Sequence, residues 1–208
     1  MSQPASSADR TGSASELAAT LHARFPELLT GPVDFRTEYT LVLSDPERIV
    51  EVCRVAKVEL GCDYLVDITS IDNYGEEPRW TLVYELCGLG HGCHLRLKTA
   101  VPEERSELPS VTGVWRGADW HEREIYDMMG LRFRGHPDLR RILMWEGYPH
   151  YPLRKDFPLA GKPTDLPEVA FTSPAPLDGG PFVTTAGTTD ATKREPRALA
   201  TPDREEDR

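Results

Sequence analysis

The chain has 208 residues, 39% of them hydrophobic, and a formal net charge of -10. That length suits one domain with extensions, and it allows a core that needs neither disulfides nor metal. The acidic balance argues against nucleic acid and against direct contact with anionic lipid.

The N-terminal stretch, MSQPASSADRTGSAS, lacks the apolar centre of a secretory signal. The longest unbroken apolar run is Ile142 to Trp145, far short of the ~20 residues of a spanning helix. A soluble, cytoplasmic chain is expected, with any membrane association made through partners. Residues 1–14 are small and polar and are expected to be disordered. The folded domain is placed at 15–162.

Within it, SASELAATLHARF sets Leu17, Leu21 and Phe25 at helical spacing, with Ser13 or Ser15 as cap. TEYTLVLS (37–44) reads as a strand. SDPERIVEVCRVAKVEL opens on a capping Ser or Asp and a first-turn Pro46, then puts Ile49, Val52, Val55, Ala56 and Leu60 on one helical face. DYLVDITSIDNY alternates Leu65, Asp67 and Thr69 against Tyr64, Val66 and Ile68. RWTLVYELC and GCHLRLKTAV are two further strands around the turn GLGHG. LPSVTGVWRGADWHEREIYDMMG then turns helical, with Ser110 as the predicted cap. In RFRGHPDLRRIL, Gly135, His136 and Pro137 break a strand, and Asp138 is expected to cap a short helical turn holding Leu139, Ile142 and Leu143. The pattern is α+β: a two-layer domain with a largely antiparallel or mixed sheet packed by helices, followed by an extended C-terminal tail at 163–208.

The tail is rich in Pro, Gly, Thr and charge and buries too little apolar surface to offset its ordering entropy. Its scattered anchors, from Leu166 to Val183, lie among prolines that restrict the backbone beforehand. That segment is expected to order across neighbouring subunits, with the terminal DREEDR left solvated.

Two groups could carry chemistry. Cys87, His91, Cys93 and His94 crowd one hairpin and are zinc-ligand types. Neighbouring residues of a strand point to opposite faces, however, so Cys93 and His94 do not easily serve one ion. The four cysteines also lack the C-x-x-C spacing of an iron–sulfur site. The second group lies in ADWHEREIYDMMGLRFRGHPDLRRIL (118–143). Glu122, Glu124 and Asp127 could do acid–base work. Yet Asp119, Arg123 and Asp127 stand at i, i+4 and i+8, which predicts a self-neutralising stripe on one helix face. Trp120, Ile125, Tyr126, Met128 and Met129 give that helix more apolar surface than one core-facing stripe requires. Arg132, Arg134, Arg140 and Arg141 suit fixed carboxylate partners as well as phosphate. In YPLRKDFP, two prolines hold Arg154, Lys155 and Asp156 in extended chain. Charged groups fixed by prolines among aromatics and methionines favour an interaction surface over a catalytic pocket.

ADWHEREIYDMMGLRFRGHPDLRRIL followed by PLRKDFPL, with DITSID and VYEL upstream, resembles the signature of the C subunit of the proton-pumping NADH:quinone oxidoreductase, respiratory complex I. The similarity runs from about Tyr64 to Lys162. Met129, Leu131 and the spacing of WEGYPHY depart from the family pattern. The resemblance implies an α+β subunit of the peripheral arm, beside the quinone-cavity subunit and those carrying the terminal iron–sulfur clusters. It implies no cofactor in this chain, with flavin and clusters in partner subunits, and a peripheral place on the cytoplasmic side of the cell membrane. Glu122, Arg123, Glu124, Asp127, His136, Pro137, Asp138, Arg140, Arg141, Arg154, Lys155 and Asp156 fall on the signature and are assigned to folding and to contact between subunits, with no catalytic or metal-binding residue. The equivalent subunit of a membrane-bound hydrogenase, and a small metal-dependent enzyme using Cys87, His91, Cys93 and His94, are the alternatives.

Overall fold

A computed structural model describes residues 7–36 and 38–158. The predicted tail, with its segment 166–183, lies outside the described residues, as do residues 1–6. Helix α1 (Ser7–Arg24) begins earlier than a cap at Ser13 or Ser15 implies. No proline interrupts the sequence between Ser7 and Leu17, so nothing there forces a stop. Leu21 and Phe25 enter the core as their spacing predicts.

Five strands form one sheet: β1 (Leu29–Phe35), β2 (Glu38–Leu43), β3 (Tyr64–Asp72), β4 (Trp80–Gly88) and β5 (Cys93–Val101). Their spatial order is β1-β2-β5-β4-β3. β2 runs parallel to β5 and the other neighbours are antiparallel, so the sheet is mixed. The parallel pair needs a crossover, and α2 (Ile49–Val58) lies in the segment that follows β2. A 3-10 turn at Pro46–Arg48 precedes α2, and Asp45 caps that turn by accepting from the Glu47 N–H at 3.0 Å. Ile49, Val52, Cys53 and Ala56 of α2 are buried, while Val55 and Leu60 pack at the margin.

β4 and β5 carry the centre of the core. Trp80, Leu82, Tyr84 and Leu86 alternate inward on β4, opposite Leu95, Leu97 and Val101 on β5. Burying one large apolar side chain contributes about 1.5–3 kcal/mol, so these two strands supply a large share of the driving force. β3 departs from simple alternation. A bulge between Leu65 and Asp67 resets its register, so Leu65 and Ile68 both reach the core. α1 lies against β1, β2 and β5, and α3 (Ala118–Met129) lies against β3.

The stretch before α3 differs from the helix predicted from Leu108 onward. Residues Glu107–Pro109 form a short strand, β6, paired in parallel with β7 (Arg132–Arg134). Turns then lead to Gly117, where α3 starts. Ser110 therefore caps no helix; its hydroxyl donates to Glu122 instead. The helical turn expected after Asp138 is also absent from residues 138–143, which run as irregular chain with bends at Asp138, Ile142 and Leu143. A carboxylate of α3 takes up the backbone N–H groups that such a turn would have used internally.

Candidate functional site

The charged segment folds around two buried carboxylates. Asp127, on the inner side of α3, is fully buried. Its Oδ1 accepts from Arg141 Nη1 at 2.5 Å, and its Oδ2 accepts from the N–H groups of Ile142, Leu143 and Met144 at 3.0, 2.7 and 2.9 Å. Burial pushes this carboxyl up, but the four hydrogen bonds outweigh it and hold the group below its ordinary value. Arg141 also donates to the carbonyls of Asp127 and His150. Arg123 donates to the carbonyls of Arg140 and Arg141 at 3.2 and 3.3 Å. The self-neutralising stripe is thus corrected: Arg123 and Asp127 both reach across to the 140–144 loop, where uncapped backbone offers better-oriented partners.

Asp72, at the end of β3, is the second centre. Arg79 is 3% exposed and grips Asp72 with a fork of 2.9 and 3.0 Å. The same guanidinium donates to Glu103 at 2.5 Å and Asp156 at 3.1 Å, and the Lys155 N–H donates to Asp72 at 2.8 Å. Burial raises the Asp72 carboxyl, while Arg79 and the Lys155 N–H lower it further than burial lifts it. Asp72 in turn pushes the Arg79 guanidinium above its usual value.

Stacked rings join the two centres. Arg79 lies over Trp80 at 4.5 Å, Arg154 spans Trp80 at 5.2 Å and Tyr151 at 4.4 Å, and Arg141 lies over Tyr151 at 5.2 Å. Aromatic faces carry negative charge density, so Trp80 and Tyr151 each attract two of these cations. Arg154 donates to the Met129 carbonyl at 2.6 Å. Burial, then the neighbouring Arg79, draws its guanidinium below the usual value. Gly130 closes α3 in the left-handed region at φ 80°, and a Cβ there would collide with Arg154 and Tyr151.

Glu122 makes a third, smaller centre. It accepts from the Ser110 hydroxyl at 2.6 Å and the Val111 N–H at 2.7 Å. The buried His136 ring stands 4.0 Å away and meets Asp119 at 3.3 Å.

The residues singled out from sequence therefore divide. Glu122, Arg123, Asp127, His136 and Arg141 face inward or hold the loop, and Arg154 and Asp156 tie the last described segment to the sheet. Lys155 contributes its backbone, with its side chain outside. Glu124, Pro137, Asp138 and Arg140 are exposed; Arg140 pairs only at the surface, with Asp138 at 2.9 Å. Of the apolar residues on α3, Ile125 and Met128 are buried and Trp120 is 62% exposed. Arg79, Asp72 and Glu103 carry no local pattern that marks them in the sequence. Only the pairing of the strands brings them together: Arg79 immediately precedes Trp80, which stands opposite Asp72 across the β3–β4 hairpin.

The hairpin Cys/His group does not converge. Cys87 pairs with His94 in register and Gly88 with Cys93, so Cys87 and Cys93 point to opposite faces. The His91 ring is seated over Gly88, approaches the Leu60 carbonyl through Nε2 at 3.2 Å and accepts the Cys93 N–H at Nδ1. Among the described residues no three His, Cys, Asp or Glu side chains are arranged to hold a metal ion.

Residues 42–163 match the family described as "Respiratory-chain NADH dehydrogenase, 30 Kd subunit". The chain is 50% identical over 133 residues to the second C subunit of NADH-quinone oxidoreductase from Rhizobium etli, covering 63% of this chain and 71% of that protein. It is 41% identical over 142 residues to the C subunit of NADH-quinone oxidoreductase from Geobacter sulfurreducens, covering 68% and 87%. Among solved structures it resembles "Nqo5 of the trypsin-resistant fragment (1-134)", with a TM-score of 0.52 and 31% identity over 61% of this chain and 99% of that one. A chain of an archaeal membrane-bound sulfane sulfur reductase shares the fold, with a TM-score of 0.61 and 24% identity over 69% and 85%.

Proposed function

The chain belongs to the respiratory-chain NADH dehydrogenase 30 Kd subunit family, and from that premise we propose that it is a structural subunit of a proton-pumping NADH:quinone oxidoreductase. In this role it supports electron transfer from NADH through flavin and iron–sulfur clusters to quinone, coupled to proton translocation, without binding a redox group itself. The observation that carries the reading is the match over residues 42–163, which takes in the sheet from β3 onward and the whole charged segment. The relatives named above are subunits of NADH-quinone oxidoreductase, which favours this setting over a hydrogenase. The quinone-cavity subunit and the subunits holding the terminal clusters are the proposed neighbours. The proposed location is peripheral, on the cytoplasmic side of the membrane; among the described residues no helix is long and apolar enough to cross it.

The geometry supports a framework role. The buried charges are held by partners within the chain, so what remains for other subunits is exposed side chains, Trp120, Glu124, Asp138, Arg140 and Leu143 among them. Arg140→Ala should leave the stability of the free chain within about 0.5 kcal/mol, as for other surface changes, while reducing incorporation into the complex. Quantifying the variant chain in purified complex checks this; full incorporation would remove Arg140 from the interface. The purified chain should also carry no stoichiometric metal. Elemental analysis after chelation tests that, and a retained zinc or iron needed for the fold would revive the hairpin site.

A further inference from the structure

The Glu122 centre is not needed by the framework role, and its chemistry is unusual. Its carboxyl is fully buried and takes hydrogen bonds from Ser110 and Val111, on the loop before α3. On the other side stands His136, from the turn after β7. That histidine accepts the Asp138 N–H at Nδ1, at 3.0 Å, which places the ring proton on Nε2 while the turn stays closed. Nε2 faces Asp119 Oδ1 and the Asp119 carbonyl, both at 3.3 Å. The titratable groups around Glu122 are therefore Asp119 on α3, His136 on the turn, Cys53 on α2 and Tyr84 on β4. The Tyr84 hydroxyl is buried and has no hydrogen-bond partner among the described residues. None of these groups is a fixed cation, so an ionised Glu122 would lie buried beside the Asp119 carboxylate with only dipoles to hold it.

We propose that Glu122 is a proton-operated clasp: while it holds a proton, the 110–113 loop and the 135–138 turn close on α3, and when it loses that proton the two segments are driven apart. Two routes relieve the buried charge, and both open the same region. Water can enter by displacing the Ser110–Val111 loop, or the His136 ring, 4.0 Å from Glu122, can swing away and carry with it the turn that its Asp138 N–H bond closes. These segments form the walls of an open cavity of about 480 Å3, lined by Thr112, Gly113, Arg116, Asp119, Gly135 and Pro137. Ionisation of Glu122 thus sets the shape of that cavity. Burial, opposed by Ser110 and Val111 and reinforced by Asp119, pushes the carboxyl up to about 7. The clasp therefore works near neutral pH.

The sign follows from linkage. A carboxyl raised in the closed form stabilises that form fully below its unfolded value, and the contribution is lost as pH rises through about 7. Between about pH 6 and pH 8 the open population should rise about tenfold, since each pH unit between the unfolded value and the raised one costs one factor of ten and the effect levels off above about 7. Hydrogen exchange on the full chain, corrected for intrinsic rates, reads this at 110–113 and 135–138. The expected result is a tenfold loss of protection in the native chain and a flat profile in Glu122→Gln. The same loss in both, or no loss in the native chain, overturns the proposal. Infrared spectroscopy of the native chain tests it without a substitution: a protonated-carboxyl band present at about pH 6 and gone by about pH 8 supports the clasp, and its absence at pH 6 sinks it.

Discussion

Asp127→Ala should cost the free chain about 3–5 kcal/mol, the usual range when one partner of a buried ion pair is removed. The substitution strands more than Arg141. Three consecutive N–H groups, at Ile142, Leu143 and Met144, lose their acceptor together. Each unsatisfied buried donor costs about 1–3 kcal/mol, reduced here because the loop can move toward water. Equilibrium denaturation gives the size. A cycle with Arg141→Ala separates the parts: the two losses should be non-additive by at least about 0.5 kcal/mol, since both variants break one contact. Strict additivity would mean that Asp127 acts on the backbone alone. The acid limb adds a second reading. Because the Asp127 carboxyl is held below its ordinary value, its contribution is present above the unfolded value and lost as pH falls through the lower folded one. The native chain should therefore lose its advantage over Asp127→Ala only in acid.

Arg79→Ala should be of similar size, about 3–5 kcal/mol, because it leaves the buried Asp72 carboxylate without its fork. It also removes the guanidinium that Glu103 and Asp156 share. The consequence reaches residues 152–158, which are tied to the sheet through Asp156 and the Lys155 N–H. Trypsin should then cut after Arg154 and Lys155 at a lower denaturant concentration than in the native chain. Arg79→Met keeps an apolar stem over Trp80 but not the fork, and should lose nearly as much. If Arg79→Met matched the native chain in stability and protease resistance, packing rather than the ion pair would hold this corner.

Much of this fold could be read from the chain. The alternation of Trp80, Leu82, Tyr84 and Leu86, and of Leu95 and Leu97 beyond a glycine-rich turn, specifies the central hairpin because both faces obey one period. Local rules failed where a partner lies far away in sequence. β1 contains Gly31 and Pro32 and exposes Val33 and Phe35, so its strand character comes from pairing with β2 and not from its own pattern. The bulge after Leu65 breaks the period of β3. Ser110 and Asp138 have helix-capping chemistry, but Glu122 engages the first, and Asp127 takes the N–H groups that a turn after the second would have used. The charged helix looked self-neutralising because spacing shows only neighbours on the same helix; the 140–144 loop that outcompetes them is a tertiary feature.

The central claim is that this chain acts as a framework within an NADH:quinone oxidoreductase. The most direct measurement is affinity purification of the tagged full chain from detergent-solubilised membranes of its own cells, followed by assay of the recovered assembly for quinone reduction by NADH. The expected product is an assembly with flavin and iron–sulfur absorbance that reduces quinone with NADH. Recovery of the chain alone, or in an assembly that cannot oxidise NADH, would contradict it.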